Sequence, residues 1–429
     1  MPKNKISLLS AVLICINVVV GAGLFINPQH LAVFAGPYGF FGYILAAVIL
    51  LPLILSIAEL TRFQPVSGGL YVYSKEYLGL PMGFLSGWSY FIAKSVSAIF
   101  ILNIFVAYIQ ARIPQISDVP IVYLDYIIVA SVIALNSIGV SIGGRVQYFF
   151  VFLKFLPLLF AFICGFWAFE PGFFFPVAAF PGSFFQAIPL CLFALVGFEV
   201  ICSVGSLVEN PTVNIRKAII YSFTTIVVIC LLFSLASYGA LGMLLTHSNE
   251  TLFLLGQKVL PQYPFIARLM NGLVFSSLVI GAFSILTSNC WNLHTLAKYD
   301  HFPLRNILTR VNRFDVPWVS LIIEGIMACI MITITTGAVQ LRNMSVFVLF
   351  ICYFLTALAA YRALGREKGS SLARWVPLVA AVGCGYVVVT CLKNIIDSGL
   401  SVSFLVVFIL GCVLSFGWTI YKRSKNTDL

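Results

Sequence analysis

Residues 41–58 read FGYILAAVILLPLILSIA, a run with one proline and no charged side chain. A strand of a membrane barrel alternates polar and apolar residues over about 10 positions, and this run does not alternate. A transmembrane helix needs roughly 20 consecutive, mostly apolar residues because the hydrocarbon core of a bilayer is about 30 Å thick. The run therefore predicts a helix that crosses a membrane.

The composition extends this prediction to the whole chain. Of its 429 residues, 61% are hydrophobic and 9% are charged, whereas soluble globular domains contain about 45–50% apolar and about 25% charged residues. This excludes a water-soluble enzyme and predicts an all-α polytopic membrane protein with twelve transmembrane helices. The apolar runs place these spans at residues 6–34, 38–61, 83–111, 120–139, 146–168, 183–208, 217–244, 264–296, 317–337, 343–361, 373–394 and 400–421.

The basic residues are distributed asymmetrically around these spans. Twelve spans put both termini on one side, which carries eighteen of the 25 Lys and Arg residues. Five lie on the other side, and Lys94 and Lys154 lie within spans. Because loops rich in Lys and Arg stay in the cytoplasm, we expect both termini to be cytoplasmic, in an inner membrane of bacterial type. Topology then accounts for the net charge of +11, and no nucleic-acid partner is expected.

Cysteines and histidines show no metal-binding pattern. All eleven cysteines fall inside apolar spans and none forms a CxxC pair, so they are predicted to be small, buried side chains. The four histidines lack the spacing of metal ligands. We therefore expect no metal site and no cofactor. An enzyme would need a catalytic cluster, which the sequence does not suggest.

Two spans contain residues that weaken helices near mid-depth. The first has Gly-Ala-Gly at 21–23, and the sixth has Pro189 followed by FALVGFE at 193–199. Small residues are also common at ordinary contacts between membrane helices, which is the alternative explanation. The two spans are five apart, however, as two inverted five-helix repeats require, and transporters bind substrates where helices are broken. We expect both helices to be broken.

Several motifs resemble those of one family, the amino acid, polyamine and organocation transporter superfamily. They occur in the order NVVVGAGLFINP (17–28), AEL (58–60), PVSGGLYVYSKEYLG (65–79), FALVGFEV (193–200), ENPTVNIRKAI (209–219) and LAKYDHFPLRNILTRVNRFDVPWVS (296–320). The resemblance implies one transmembrane domain over 1–429 with a LeuT-type 5+5 inverted repeat. The repeats would be 6–168 and 183–361, followed by two further helices at 373–421, with the substrate held between the breaks of helices one and six.

The dipoles of two broken helices suit the two charges of an amino acid. Backbone N–H groups at the positive start of a half-helix attract a carboxylate, and carbonyl groups at a half-helix end attract an ammonium. A zwitterionic α-amino acid carries both groups. The expected contacts are Gly21, Ala22 and Gly23 for the carboxylate, and Phe193, Ala194, Leu195 and Gly197 around the ammonium.

Four ionisable residues lie well inside spans, where a charge costs about 2.5–3.5 kcal/mol. By the resemblance, the amino group of Lys154 stands where sodium binds in sodium-coupled relatives, between helices one, five and eight and beside Thr287 and Ser288. The alternative is a lysine whose side chain snorkels to the membrane surface. The other three are Lys94, Glu199 and Glu324.

Several roles remain open for these three residues. Glu199 is a proton-sensitive or gating carboxyl, or it bonds the broken backbone or pairs with Lys94. Lys94 faces the site, pairs with Glu199 or faces a neighbouring helix. Glu324 is expected to support helix packing.

The resemblance also bears on the substrate. Exchangers of cationic substrates in the superfamily line the pocket with tryptophans on helices six and eight, where this chain has Phe193 and Ile285. Losing tryptophan removes cation–π capacity, so a neutral amino acid is favoured over arginine or agmatine. We expect a secondary transporter that is proton-coupled and sodium-independent. Its partners would be the amino acid, protons and the lipid bilayer, and it would be a monomer or a homodimer.

Two other functions are considered. The first is an exchanger of amino acids and amines, of the arginine or polyamine antiporter type. The second is a channel, which would need a continuous polar pore. Few polar residues lie within the spans, and this argues against a channel.

Overall fold

The computed structural model describes residues 5–66, 68–138, 144–175, 181–248, 250–335, 337–366, 372–397 and 402–427. This part of the chain is helical and has no β-strand, although Ile6 and Val208 form an isolated parallel bridge. Its α-helices are α1 (Leu8–Val19), α2 (Ala22–Ala35), α3 (Gly39–Phe63), α4 (Gly69–Leu78), α5 (Leu80–Gln110), α6 (Ile121–Ser137), α7 (Gly144–Trp167), α8 (Ile188–Leu195), α9 (Val200–Ser203), α10 (Pro211–Leu241), α11 (Thr251–Val259), α12 (Pro264–Lys298), α13 (Arg305–Leu308), α14 (Trp318–Ile334), α15 (Ala338–Arg366), α16 (Trp375–Asp397) and α17 (Val402–Thr427).

Every predicted span contains a helix, so the prediction of an all-helical protein with several membrane-spanning segments is confirmed. Within the described residues, seven helical segments are long and apolar enough to cross a membrane, the longest being Ala22–Phe63. Five further apolar helices have 10–17 described residues, and the count of twelve crossings stays a prediction. Residues 139, 336 and 400–401 of the predicted spans lie outside the described residues.

Three helices lie between the predicted spans: α4, α11 and the four-residue α13. α4 is bounded by Gly68 (φ +125°) and Gly79 (φ +95°), a backbone conformation that glycine adopts without steric cost. α11 is amphipathic, because Leu255 is buried while Lys258 is exposed. α4 and α11 have about 10 residues and are too short to appear as membrane spans.

The chain divides into two compact units. The first comprises Met1–Ala58, Ile142–Ile201 and Ser206–Ile280, and the second comprises Glu59–Ser141, Cys202–Gly205 and Gly281–Leu429. Each unit takes helices from both of the predicted repeats. The repeat boundaries themselves stay a prediction.

The first unit is built around α10, which packs against α1 and α7. α2 packs against α8, and α11 packs against α7. Aromatic side chains fill these contacts; the rings of Phe25 and Phe233, for example, meet edge to face with centroids 5.7 Å apart. This unit contains the points at which the first and sixth spans are interrupted.

The second unit is built around α15, which packs against α5, α16 and α4. α14 packs against α6 and α5, and α17 packs against α5. The Trp88 indole N–H donates a hydrogen bond to the Phe408 carbonyl oxygen at 3.1 Å. A Cβ atom on Gly411 would lie 2.2 Å from the Trp88 ring, so α17 depends on glycine to approach α5 this closely.

All eleven cysteines are free thiols. Nine are buried, and Cys329 and Cys412 are partly buried. The prediction of small, buried cysteine side chains is therefore confirmed for nine of them.

Candidate substrate and ion-coupling site

The first predicted span is interrupted at Val20 and Gly21. Val20 is extended (φ −68°, ψ 98°), and Gly21 (φ −162°, ψ −143°) directly precedes α2. The first bond of α2 runs from the Leu24 N–H to the Gly21 carbonyl oxygen at 3.1 Å. The first N–H groups of a helix have no acceptor within it. The N–H groups of residues 21–23 therefore point from a positive helix end, an arrangement that suits a carboxylate.

Gly23 lies where α2 closely approaches α8. A Cβ atom on Gly23 would lie 2.7 Å from the Ala194 Cα atom and 2.9 Å from its Cβ atom. Contacts this short do not occur between ordinary side chains, so one helix would have to move. Glycine at this position therefore allows the start of α2 to lie against the end of α8, which brings together the two groups of residues predicted to bind the amino acid.

The sixth predicted span is interrupted after Leu195. Val196 is extended (φ −87°, ψ 152°), and Gly197 has φ +121°, which favours glycine. The last four carbonyl groups of a helix have no donor within it, and they carry the negative end of its dipole. The carbonyl oxygens of Phe193, Ala194 and Leu195 are therefore placed to attract a cation such as an ammonium group.

Glu199 bonds the interrupted backbone. Its side chain is 1% exposed, and its Oε2 atom accepts a hydrogen bond from the Gly197 N–H at 3.0 Å. In a continuous helix this N–H would bond the Phe193 carbonyl oxygen, so the carboxyl group replaces the lost acceptor. Of the roles considered for Glu199, backbone bonding has a direct contact in the structure, and a role in gating stays a prediction.

Lys154 forms a hydrogen bond with the backbone of the other interrupted helix. It lies on α7 and is 6% exposed, and its Nζ atom donates a hydrogen bond to the Asn17 carbonyl oxygen at 3.2 Å. In a continuous helix this carbonyl would accept from the Gly21 N–H, but α1 ends at Val19. Lys154 therefore binds a carbonyl that the interruption has released, at the negative end of α1. The resemblance implies a position beside helix one, and the role of Lys154 in ion coupling stays a prediction.

Asn27 was not predicted to have a role, although a polar residue next to Pro28 inside an apolar span could have indicated one. Its side chain is 3% exposed, and its Nδ2 atom donates to the Tyr43 hydroxyl at 3.1 Å and to the Leu190 carbonyl oxygen at 3.0 Å. These bonds tie α2 to α3 and α8 one helical turn from Gly23. Asn27 thus holds together the two helix ends predicted to bind substrate.

The predicted residues of helix eight belong to the second unit and lie on α12. The Thr287 hydroxyl donates to the Asn136 side-chain oxygen and to the Phe283 carbonyl oxygen, the latter at 2.7 Å. The exposed Ser288 donates to the Ile285 carbonyl oxygen at 2.9 Å. Ile285 itself is partly buried. The expected neighbourhood of Lys154 with Thr287 and Ser288 stays a prediction.

Lys94 also belongs to the second unit. Its Nζ atom lies 5.1 Å from the centroid of the Tyr90 ring, one turn earlier on α5. A lysine over a tyrosine face gains a cation–π interaction. The three roles considered for Lys94 remain open.

Both interrupted helices present backbone polar groups at their breaks. Secondary transporters place their substrate sites at such breaks. A family model described as amino acid permease matches residues 6–417. The chain belongs to this family, which confirms the resemblance found in its motifs, and it is a membrane transport protein and not an enzyme.

Individual relatives align over most of the chain at low identity. The serine/threonine exchanger SteT of Bacillus subtilis (strain 168) is 24% identical over 417 residues, which cover 93% of this chain and 94% of the relative. The aromatic amino acid transport protein AroP of Escherichia coli O157:H7 is 22% identical over 450 residues, which cover 96% and 94%. The branched-chain amino acid permease BcaP of Bacillus subtilis (strain 168) is 26% identical over 242 residues, which cover 51% of each chain.

Proposed function

We propose that the protein is a secondary active transporter of neutral amino acids that works by alternating access in a cytoplasmic membrane. It is proton-coupled and sodium-independent. It has twelve transmembrane helices arranged as a LeuT-type 5+5 inverted repeat with two additional helices, and both termini are cytoplasmic. The observation that carries this proposal is the bond from Lys154 Nζ to the Asn17 carbonyl oxygen at the break of helix one.

The substrate site of the proposal lies between the two interrupted helices. The α-carboxylate binds the N–H groups of Gly21, Ala22 and Gly23, and the α-ammonium binds the carbonyl groups of Phe193, Ala194 and Leu195. The contact between Gly23 and Ala194 supports this pairing, because it holds the two sets of backbone groups side by side. Gly197 provides the turn after the ammonium site.

The coupling part of the proposal rests on Lys154. A buried amino group that bonds a released carbonyl supplies the positive charge that a sodium ion would supply, and it does so only when it is protonated. Loss of its proton removes the charge from the end of α1 and weakens the hold on that half-helix. Proton binding to Lys154 and movement of α1 are thereby linked, and sodium is not needed.

The choice of a neutral substrate rests on Phe193 and on the relatives. Phenylalanine offers a weaker cation–π surface than tryptophan, which disfavours a cationic side chain. SteT, AroP and BcaP are named for serine and threonine, aromatic and branched-chain amino acids. A carrier of neutral amino acids fits both observations.

Exchange is the second candidate mechanism. SteT, which aligns with 93% of this chain, is named an exchanger. An exchanger moves substrate in only when substrate moves out, whereas a proton symporter accumulates substrate without an internal counterpart.

Uptake of labelled amino acids into proteoliposomes tests both proposals. Symport predicts accumulation into empty vesicles when the outside is acidic, with no dependence on sodium. Exchange predicts uptake only into vesicles preloaded with amino acid. Uptake that needs a sodium gradient would contradict the proposed coupling, and failure to move any neutral amino acid under either condition would contradict the proposed function.

A further inference from the structure

Glu324 lies on α14 and is fully buried. Its Oε1 atom accepts hydrogen bonds from the Asn289 Nδ2 atom at 2.7 Å and from the Ser95 hydroxyl at 3.3 Å. The three residues come from α14, α12 and α5, all in the second unit. Glu324 Oε2 is also buried, but no hydrogen-bond donor reaches it from the described residues. Within the described part of the chain, Oε1 thus accepts two hydrogen bonds and Oε2 accepts none.

Asn289 connects this carboxyl group to a less buried part of α12. Its Nδ2 atom also lies 3.0 Å from both the Ser95 hydroxyl and the Phe91 carbonyl oxygen. Its Oδ1 atom accepts a hydrogen bond from the Asn292 Nδ2 atom at 2.9 Å. Asn292 is partly exposed, whereas Asn289 is fully buried. Polar side chains therefore run from Glu324 toward the end of α12 that leads to Lys298.

No cation of the described residues forms an ion pair with Glu324. The titratable group beside it is the Cys290 thiol, which donates to the Thr287 carbonyl oxygen at 3.1 Å. The charged side chains that the structure describes on α5, α6 and α13, which pack against α14, have other contacts. These are Lys94 over Tyr90, Asp125 bonded to Asn103, and Arg305 paired with Asp300.

An isolated ionised carboxylate in an apolar interior loses its hydration, and the loss is offset only by a full set of hydrogen bonds or a counter-ion. Among the residues that the structure describes, Glu324 has neither, because no donor reaches Oε2 and no cation forms an ion pair with the carboxylate. Binding of one proton at Oε2 converts the carboxylate to a neutral acid and removes this penalty. The proton arrives from water and returns to it without any other bond being made or broken.

We propose that Glu324, Ser95 and Asn289 form a proton-binding site in the second unit, separate from Lys154. Hydrogen bonds to a charged carboxylate are roughly twice as strong as those to a neutral acid, so proton binding weakens the bonds between α14 and Asn289. The helix loosened in this way, α12, also carries Ile285 and Thr287. The use of this site in transport rests on the proposed function, whereas its occupancy by a proton does not.

Infrared spectroscopy tests the occupancy directly. A protonated carboxyl group has a carbonyl stretching band that is distinct from the bands of a carboxylate. At pH 7 the wild-type protein should show this band, and Glu324→Gln should lose it. Glu76→Gln, which changes an exposed carboxyl group, is the control and should keep it. An identical band in the wild type and in Glu324→Gln would overturn the proposal.

A second variant covers the case in which Glu324→Gln does not fold. Ser95→Ala keeps the helix and removes one of the two donors to Oε1. It should shift the frequency of the Glu324 band. An unshifted band would show that the band belongs to another group, which would also overturn the site.

Uptake measurements distinguish failure of this proposal from failure of the proposed function. Glu324→Gln is fixed in the neutral form, so uptake by this variant should lose the part of the pH dependence of apparent KM that comes from the Glu324 carboxyl group, while the part that comes from Lys154 remains. An unchanged pH profile would overturn the use of the site in transport. If the wild type moves no amino acid, the proposed function fails, and the infrared band alone then decides whether the proton site exists.

Discussion

The Lys154 Nζ atom lies 3.2 Å from the Asn17 carbonyl oxygen, which the end of α1 has left without its helical partner. Asn17 and Lys154 are far apart in sequence, so this bond joins the interrupted first span to α7. The same interruption frees the N–H groups of α2. One break in one helix thus exposes the negative end of its first half and the positive end of its second half.

Replacement of Lys154 by Met should strongly reduce proton-driven accumulation. The variant keeps the length of the side chain and removes the charge that binds the Asn17 carbonyl. Hydrogen bonds to charged groups contribute about 1.5–3 kcal/mol, and about 1.4 kcal/mol corresponds to a tenfold change. Accumulation in proteoliposomes under an inward proton gradient should therefore fall roughly tenfold or more. Lys393→Met, at an exposed position, is the control and should behave like the wild type.

Uptake driven by a sodium gradient is the measurement that could contradict the proposed role of Lys154. If a sodium gradient drives uptake in the wild type and this uptake survives Lys154→Ala unchanged, the amino group does not stand in for sodium. The coupling role of Lys154 would then be abandoned.

Replacement of Gly23 by Ala should separate α2 from α8 and weaken substrate binding. The new methyl group would lie 2.7 Å from the Ala194 Cα atom, and such overpacking typically costs about 1–3 kcal/mol. We expect a lower melting temperature and a higher KM for uptake. Gly172→Ala is the matched control, because a Cβ atom there meets nothing within 4 Å. Equal KM values for Gly23→Ala and the wild type would argue against a substrate site between these helix ends.

The helices and their breaks were predictable because each has a local cause. Apolar runs specify the spans, and the breaks fall at Gly21 and Gly197, where glycine allows the backbone to leave the helical conformation. The resemblance to a family supplied the expectation that Lys154 would reach helix one. The geometry around the breaks was therefore largely visible in the sequence.

The contacts of single polar side chains were not predictable in the same way. The bond from Asn27 to the Leu190 carbonyl joins residues 163 positions apart, and the position of Glu324 beside Asn289 and Ser95 depends on three separate helices. A local sequence pattern cannot predict such contacts between distant residues. Glu324 was expected only to support packing, because a lone carboxyl group in a span does not reveal its partners.

Glu199 should tolerate Gln but not Leu. The Gly197 N–H needs an acceptor, and the Gln side-chain oxygen supplies one in place of Glu199 Oε2. Leucine would leave this buried N–H unsatisfied, which costs about 1–3 kcal/mol. We expect a near-normal melting temperature for Glu199→Gln and a clear decrease for Glu199→Leu. Equal stability of the two variants would show that the bond contributes nothing.

Glu199→Gln also tests a role for Glu199 in proton sensing. Glu199→Gln cannot titrate, so uptake by this variant should lose any pH dependence that comes from the Glu199 carboxyl group. Uptake with the pH profile of the wild type would remove Glu199 from proton coupling and leave it as a residue that holds the broken backbone.

His301 should make the folded protein less stable as the pH falls from 6.5 to 4. It follows α12, is 1% exposed, and its Nε2 atom lies 3.0 Å from the Tyr71 hydroxyl. Burial, with a smaller contribution from the positive charge of Lys75, lowers the pKa of His301 from 6.5 to about 4, and Asp300 opposes this shift. Between these two pH values the unfolded chain binds a proton that the folded protein does not. Lowering the pH through this range therefore favours unfolding.

Thermal melts of the purified protein from pH 7.5 to pH 4 measure this effect. His301→Gln, which keeps a hydrogen-bonding group for Tyr71 but does not titrate, should show a smaller loss of melting temperature on acidification. His247→Gln, at an exposed position, is the control and should follow the wild type. If His301→Gln loses as much stability as the wild type, the acid sensitivity arises from other groups. This contribution to the pH dependence should become small by about pH 7.5, because His301 is then almost entirely neutral in both the folded and the unfolded protein.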